Sequence, residues 1–214
     1  MGTSLIALLA VASSGYSIQS RTLLTGPVNA PQTSVILNQQ IVGDGKVRLI
    51  SRTVNPDKSL SYAEEVYTTR GTPISSTQEG FWSNRWNRFT TAYAAKLAKQ
   101  DINGEVTSCE KPAKFFENPT VAWFWKIKPK VGESVVVNFL AQNVIHVFQI
   151  RFTYENDETL TLAGKTLRLH RVKEEPLSAK GVFSVYWYDD FGMIAKRYHK
   201  TTTNEYGYEL TAWR

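Results

Sequence analysis

One cysteine, two methionines and three histidines among 214 residues leave little material for redox or metal chemistry. A lone thiol, Cys109, forms no internal disulfide and no Cys-rich metal site, and is expected as a small core or strand residue. His146, His170 and His199 show neither the His-x-His nor the His-x-x-x-His spacing that puts two ligands on one element. No metal and no cofactor is therefore expected. Charge of one sign is never concentrated. The net charge is +6, but Lys and Arg are scattered from Arg21 to Arg214 with acids between them. The densest group, Lys126, Lys128 and Lys130, alternates with apolar residues like one solvated face of a strand. A nucleic-acid partner needs a concentrated basic patch, so none is expected.

Catalytic signatures are missing too. There is no Gly-x-Ser-x-Gly elbow, no Walker loop and no Gly-x-Gly-x-x-Gly fingerprint. Asp190-Phe-Gly192 matches a three-letter kinase signature, but no glycine-rich phosphate loop accompanies it. The acids that occur side by side, Glu64-Glu65, Asp157-Glu158, Glu174-Glu175 and Asp189-Asp190, point to opposite faces of a strand and do not converge on a substrate. The expectation is a protein that is not an enzyme. No period of 20–50 residues recurs, which argues against a propeller or solenoid.

What the chain has is aromatic residues: six Trp, ten Tyr and ten Phe within a composition that is 42% hydrophobic. That is enough apolar surface for a real core, and aromatics favour pleated, half-buried surfaces. The longest apolar run near the start, Leu5–Ala12, is too short for a helix spanning a bilayer, which takes about 20 residues. Ala10-Val11-Ala12 fits a small-x-small cleavage pattern, although no Lys or Arg precedes the run. Residues 1–17 are read as a signal peptide, 18–34 as a mobile leader and 35–214 as a single β domain. The protein is expected to be exported, to the periplasm or beyond, with no transmembrane span in the mature chain.

From Val35 onward, turn signals divide the chain into short alternating segments. Asn55-Pro-Asp-Lys58 separates strands near Lys46–Val54 and Ser61–Arg70, and Gly71-Thr-Pro73 marks the next boundary. Asn103-Gly104 is the favoured pair for a type I′ hairpin, joining strands near Phe89–Ile102 and Glu105–Cys109. Residues 82–100 fit a helix face through Phe89, Tyr93 and Leu97 as well as a strand face through Phe89, Thr91 and Tyr93; the downstream turn favours a strand. Farther on, His146, Phe148, Ile150, Phe152 and Tyr154 share one face of a strand. Glu155-Asn-Asp-Glu158 and Ala163-Gly164-Lys165 read as polar turns. Glu174–Gly181 reads as a loop, and Asp189-Asp-Phe-Gly192 as the turn of a hairpin. The count is nine to eleven strands after residue 35. Consecutive hairpins with no helix between them predict an all-β fold, an antiparallel meander rolled into an open barrel or half-barrel with at most one or two short helices.

Lys130-Val-Gly-Glu133, the Leu162-Ala-Gly-Lys165 turn, the Trp187-Tyr-Asp-Asp-Phe-Gly-Met193 hairpin, Lys196-Arg-Tyr198 and Tyr208-Glu-Leu210 together resemble lipoprotein carriers of the LolA/LolB kind. They resemble more closely an uncharacterised family of exported bacterial proteins expected to share that shape. The resemblance covers roughly residues 115–214, with a looser echo from 45 onward. It implies a strongly curved sheet forming a half-barrel and an envelope location. It implies no catalytic residues, and the long helix that crosses the concavity in such carriers has no obvious counterpart here.

Trp123, Trp125, Phe139, His146, Phe148, Phe152, Tyr186 and Trp187 lie on segments that a meander makes neighbours. They are the candidate ligand-binding residues: an aromatic concave face suits a lipid, an acyl chain or another hydrophobic small molecule. The same side chains could instead fill a core, leaving a structural protein that presents its surface to an envelope protein partner.

Overall fold

A computed structural model describes residues 19–27, 35–54, 60–82, 84–111, 115–116, 129–140, 146–190 and 192–213. They form fifteen strands and, among the described residues, no helix. The strands are β1 (Gln19–Pro27), β2 (Val35–Gly43), β3 (Lys46–Val54), β4 (Leu60–Thr68), β5 (Pro73–Trp82), β6 (Arg85–Tyr93), β7 (Leu97–Ile102) and β8 (Glu105–Glu110). They continue with β9 (Phe115–Phe116), β10 (Ser134–Leu140), β11 (Val147–Leu162), β12 (Lys165–Pro176), β13 (Phe183–Tyr188), β14 (Ile194–Lys200) and β15 (Glu205–Trp213).

All fifteen belong to one sheet in the order β8-β7-β6-β5-β4-β3-β2-β1-β15-β14-β13-β12-β11-β10-β9. Every neighbouring pair is antiparallel except the short β9, which runs parallel to β10. The order is that of two meanders, β1–β8 and β9–β15, joined where β1 pairs with β15. The terminal strands β8 and β9 are not paired with each other among the described residues, so the sheet is an open one. It is nevertheless strongly curved. Tyr67 of β4 packs with Val137, Ile150, Phe152, Tyr154, Val172, Tyr186 and Tyr188 from β10–β13, which brings the two wings face to face.

Turn chemistry explains the hairpins. Asn103 and Gly104 both take positive φ (53° and 96°) and join the pair Ile102↔Glu105, as the I′ reading requires. The Asn103 side chain adds its own tie, its Oδ1 accepting from the Arg88 amide at 2.7 Å. Ala163-Gly164 makes the equivalent turn between β11 and β12.

The structure corrects several sequence expectations. The single strand read over Phe89–Ile102 is two: β6 and β7 meet at a tight connection where the Ala94 amide donates to the Leu97 carbonyl. No Gly, Pro or Asn marks that bend. Glu155–Glu158 is not a turn but the middle of the 16-residue β11, where a bulge between Tyr154 and Asn156 absorbs one residue. The acids there have cross-strand partners: Glu155 pairs with Arg171, and Glu158 accepts from the Trp187 indole. Strand β12 likewise continues through Glu174 and Glu175 to Pro176. Residues 19–27, placed by sequence in a leader, form β1, hydrogen-bonded on both sides. Among the described residues, fourteen strands therefore follow residue 34, rather than nine to eleven. The segments 1–18, 28–34, 55–59 and 117–128, with the expected cleavage site and the Asn55–Lys58 turn, lie outside the described residues.

Candidate functional site

The concave face is built by parity. On β13, Ser184, Tyr186 and Tyr188 alternate with Val185 and Trp187; on β12, His170, Val172 and Glu174 alternate with Leu169, Arg171 and Lys173. Tyr186 stands opposite Arg197 on β14, and Arg197 opposite Tyr208 on β15. Facing them is a wall of mostly small or polar side chains from the other wing. Asn38, Ser51, Ala63 and Gln78 form one cross-strand row, and Ile36, Thr53 and Ser61 form the next. Small residues opposite tyrosines leave space between the wings: a cavity of about 380 Å3. Gln39, Leu49, Ile50, Tyr62, Glu65, Gly192, Met193 and Ile194 complete its lining.

The floor is polar and buried. The Arg197 guanidinium lies 5.3 Å from the Tyr186 ring centroid, and the Tyr186 and Tyr188 rings stack at 5.5 Å. Across the cavity, the Tyr67 hydroxyl donates to Glu65 Oε2 at 2.9 Å. Glu174 is buried behind Tyr186. Desolvation pushes its carboxyl up to about 7, against the opposing pull of Arg197 and of the hydrogen bond from Tyr186. Desolvation also raises both tyrosines, Tyr188 the more strongly placed among charges: Glu174, Arg197 and Glu65 all act on it. Among the described residues, Tyr188 Oη, Arg197 Nε and Glu174 Oε2 are buried and find no hydrogen-bond partner.

The eight sequence candidates divide between places. Phe139, Phe148, Phe152 and Tyr186 do come together on the concave face, the first two edge to face at 4.6 Å. Only Tyr186 of these lines the cavity; the phenylalanines pack the adjoining core. Trp187 is on the opposite face, as its position next to Tyr186 demands, in a second cluster with Leu162, Leu169, Val185 and Leu210. There Arg171 and Lys196 flank its ring at 5.6 and 5.4 Å. His146 precedes β11 and is exposed, 6.2 Å from the Phe148 ring. Trp123 and Trp125 lie outside the described residues. Of the residues that sequence reasoning missed, Leu49, Ala63 and Glu65 come from the other wing, and Tyr188, Arg197 and Tyr208 from the wing of Tyr186. The available signal was the shared parity of Tyr186 and Tyr188.

A second constellation borders this site. His170, 4% exposed, has Nδ1 2.7 Å from Asp157 Oδ1 and 2.8 Å from the Tyr154 hydroxyl, while Nε2 is 2.8 Å from Asp190 Oδ1. A ring protonated on both nitrogens donates to both acids. Arg168 and the Tyr154 hydroxyl also donate to Asp157. Asp190 lies in the β13–β14 loop, whose Gly192 and Met193 line the cavity, so His170 ties that loop to β11 and β12. Among the described residues no cluster is arranged to hold a metal ion.

Burial would raise the Asp157 carboxyl, but the hydrogen bonds from Tyr154, Arg168 and His170 prevail and hold it down at about 2. A depressed carboxylate stabilises the fold above its ordinary value of 3.8, and that contribution disappears as pH falls through about 2. Asp157→Asn is expected to cost about 1–2 kcal/mol at pH 7, with the difference shrinking towards pH 2. Urea denaturation at pH 7, 4 and 2.5 checks this; a difference independent of pH would count against the ion-pair assignment.

No protein-family model matches the chain, and no curated protein is a match. Among solved structures, it is similar to a β-barrel-like protein of domain of unknown function DUF1849 from Brucella abortus. That match has a TM-score of 0.53 and 8% identity, covering 91% of this chain and 96% of that one. It shows a shared fold. Weaker likenesses are a candidate lipoprotein from Parabacteroides distasonis (TM-score 0.36, 11% identity, 94% and 96% covered) and a candidate exported protein with a YmcC-like fold from Bacteroides fragilis (TM-score 0.36, 9% identity, 91% and 94% covered).

Proposed function

We propose that this chain is a non-catalytic binding protein of the cell envelope that holds a hydrophobic ligand, a lipid or acyl chain, between the two wings of its curved sheet. The observation that carries this reading is the cavity of about 380 Å3 between the small-residue wall of β2–β5 and the tyrosines of β13–β15. Its size falls within the range of roughly 300–1,000 Å3 that ligand sites occupy, near the lower end, which suits one acyl chain better than two. Its walls combine apolar side chains with a few buried polar groups, the mixture that retains and orients a ligand without transforming it. The candidate acid–base group nearby, His170, has its ring nitrogens engaged with Asp157 and Asp190, which supports a structural tie over catalysis. The apolar run Leu5–Ala12 with its small-x-small pattern supports export.

Fluorescence titration with the neutral probe N-phenyl-1-naphthylamine tests the proposal. The expected result is saturable 1:1 binding that Ala63→Trp abolishes while the far-UV spectrum is unchanged. Ala63 is the residue to enlarge because it lies in the middle of the small-residue row. No saturable binding would sink the reading. Binding that ignores Ala63→Trp would favour a second one, a surface protein acting through the exposed Phe81, Trp86, Leu97 and Val106 of β5–β8.

A further inference from the structure

The outer face of β2–β6 carries a row of apolar side chains aligned across the strands. Val35 pairs with Val54, Val54 with Leu60, and Phe81 with Trp86. Leu60 stands beside Phe81, one step beyond the pair Ser61↔Gly80. Five neighbouring strands about 4.8 Å apart make this row a ridge roughly 19 Å long. Val54, Leu60, Phe81 and Trp86 are 44–61% exposed, so the ridge meets solvent along most of its length. Its neighbours on the inner face, Ile36, Thr53 and Ser61, line the cavity. The ridge thus borders one end of the cavity.

Charge follows immediately behind it. Two residues farther along the strands, on the same outer face and roughly 7 Å back, stand Arg52, Glu79 and Arg88. Arg85 is exposed next to Trp86. Three cations there meet one acid, Glu79, which Arg88 engages at 3.1 Å. Glu64, one row farther back, is held by Arg48 at 2.6 Å. The flank of the ridge is therefore net positive.

We infer that this ridge docks the protein on an anionic bilayer, with the bordering end of the cavity set against the lipids. Apolar tips, a Trp and then arginines follow the depth profile of a bilayer surface: acyl chains, the interfacial level where Trp rings sit, and lipid phosphates. The net positive flank complements the negative surface potential of such a membrane. Docking of this kind does not depend on what the cavity holds.

Flotation of the full chain with phosphatidylcholine vesicles, and with vesicles of phosphatidylcholine and phosphatidylglycerol in equal parts, tests the inference. Binding is expected to be at least about fivefold tighter to the anionic vesicles and to weaken as salt is added. Joint Phe81→Ser and Trp86→Ser should weaken it by at least about tenfold, since two apolar side chains no longer leave water. Arg52→Gln should cost about fivefold on anionic vesicles and nothing on neutral ones; it decides the matter if the double variant does not fold. Ala63→Trp, which fills the cavity, should bind vesicles as the parent does, so that loss of the ligand and loss of docking are read apart. Equal affinity for the two kinds of vesicle, or binding indifferent to Phe81→Ser with Trp86→Ser, overturns the inference. So does a lack of vesicle binding, and a dimer in light scattering that the double variant splits would then give the ridge to a second copy of the chain.

Discussion

Glu174→Gln is expected to stabilise the protein at pH 8 by about 2–3 kcal/mol and to leave it nearly unchanged at pH 4. Glu174 is 8% exposed, and its carboxyl is raised from an ordinary 4.5 to about 7, chiefly by desolvation. Between those values the folded chain keeps a proton that the unfolded chain releases. Stability from this group therefore falls as pH rises from about 4.5 to about 7, and the full cost is present above 7. Glutamine imitates the protonated acid: it keeps an acceptor for Tyr186 and never ionises. Arg197 does not reverse the sign, because its attraction for the charged form already opposes the rise and is outweighed. Guanidinium denaturation of both proteins at pH 4, 6 and 8 should show the two stabilities diverging as pH increases. A variant less stable than the parent at pH 8 would mean that Glu174 is an obligatory counter-ion to Arg197.

Phe152→Ala is expected to cost about 3–5 kcal/mol. Phe152 is 1% exposed at the centre of the concave cluster, paired with Val135 on one side and Glu174 on the other. Ile150, Tyr154, Val172 and Tyr186 surround it, and strands on both sides fix the backbone, so the void left by the ring collapses poorly. The exposed Val131, by comparison, should tolerate alanine within about 0.5 kcal/mol. The denaturation midpoint should move while its slope stays constant. A loss below about 1 kcal/mol would show a loose cluster, with wings that do not pack where they meet. Because Phe152 and Glu174 are direct cross-strand partners, the two substitutions should combine non-additively.

Legibility of this fold in the sequence followed turn chemistry. Asn103-Gly104 and Ala163-Gly164 announce themselves, since positive φ restricts which residues can serve. The bend at Ala94 does not, and one expected strand became two. The run Glu155–Glu158 misled for another reason. Adjacent acids look like a solvated turn until Arg168, His170, Arg171 and Trp187 are placed beside them, and which strand lies beside which is not written locally. The candidate site was legible on one wing only. The aromatic face through Phe139, Phe148, Phe152 and Tyr186 follows from alternation; the small side chains opposite it follow only from the curl of the sheet. Tyr186 and Trp187 could not both belong to the site, and strand parity alone was enough to separate them.

The seam between β1 and β15 has a mechanical consequence. These strands lie at opposite ends of the described chain, yet among the described residues they are the only pairing that joins the two meanders. Leu23 faces Trp213 and Pro27 faces Tyr208, so the outer end of each strand emerges on the same side. A tether pulling on both ends would peel the seam one hydrogen-bond pair at a time, rather than shearing all of it at once. Such a molecule parts like a zip, its two halves separating along the line from which the cavity walls spring.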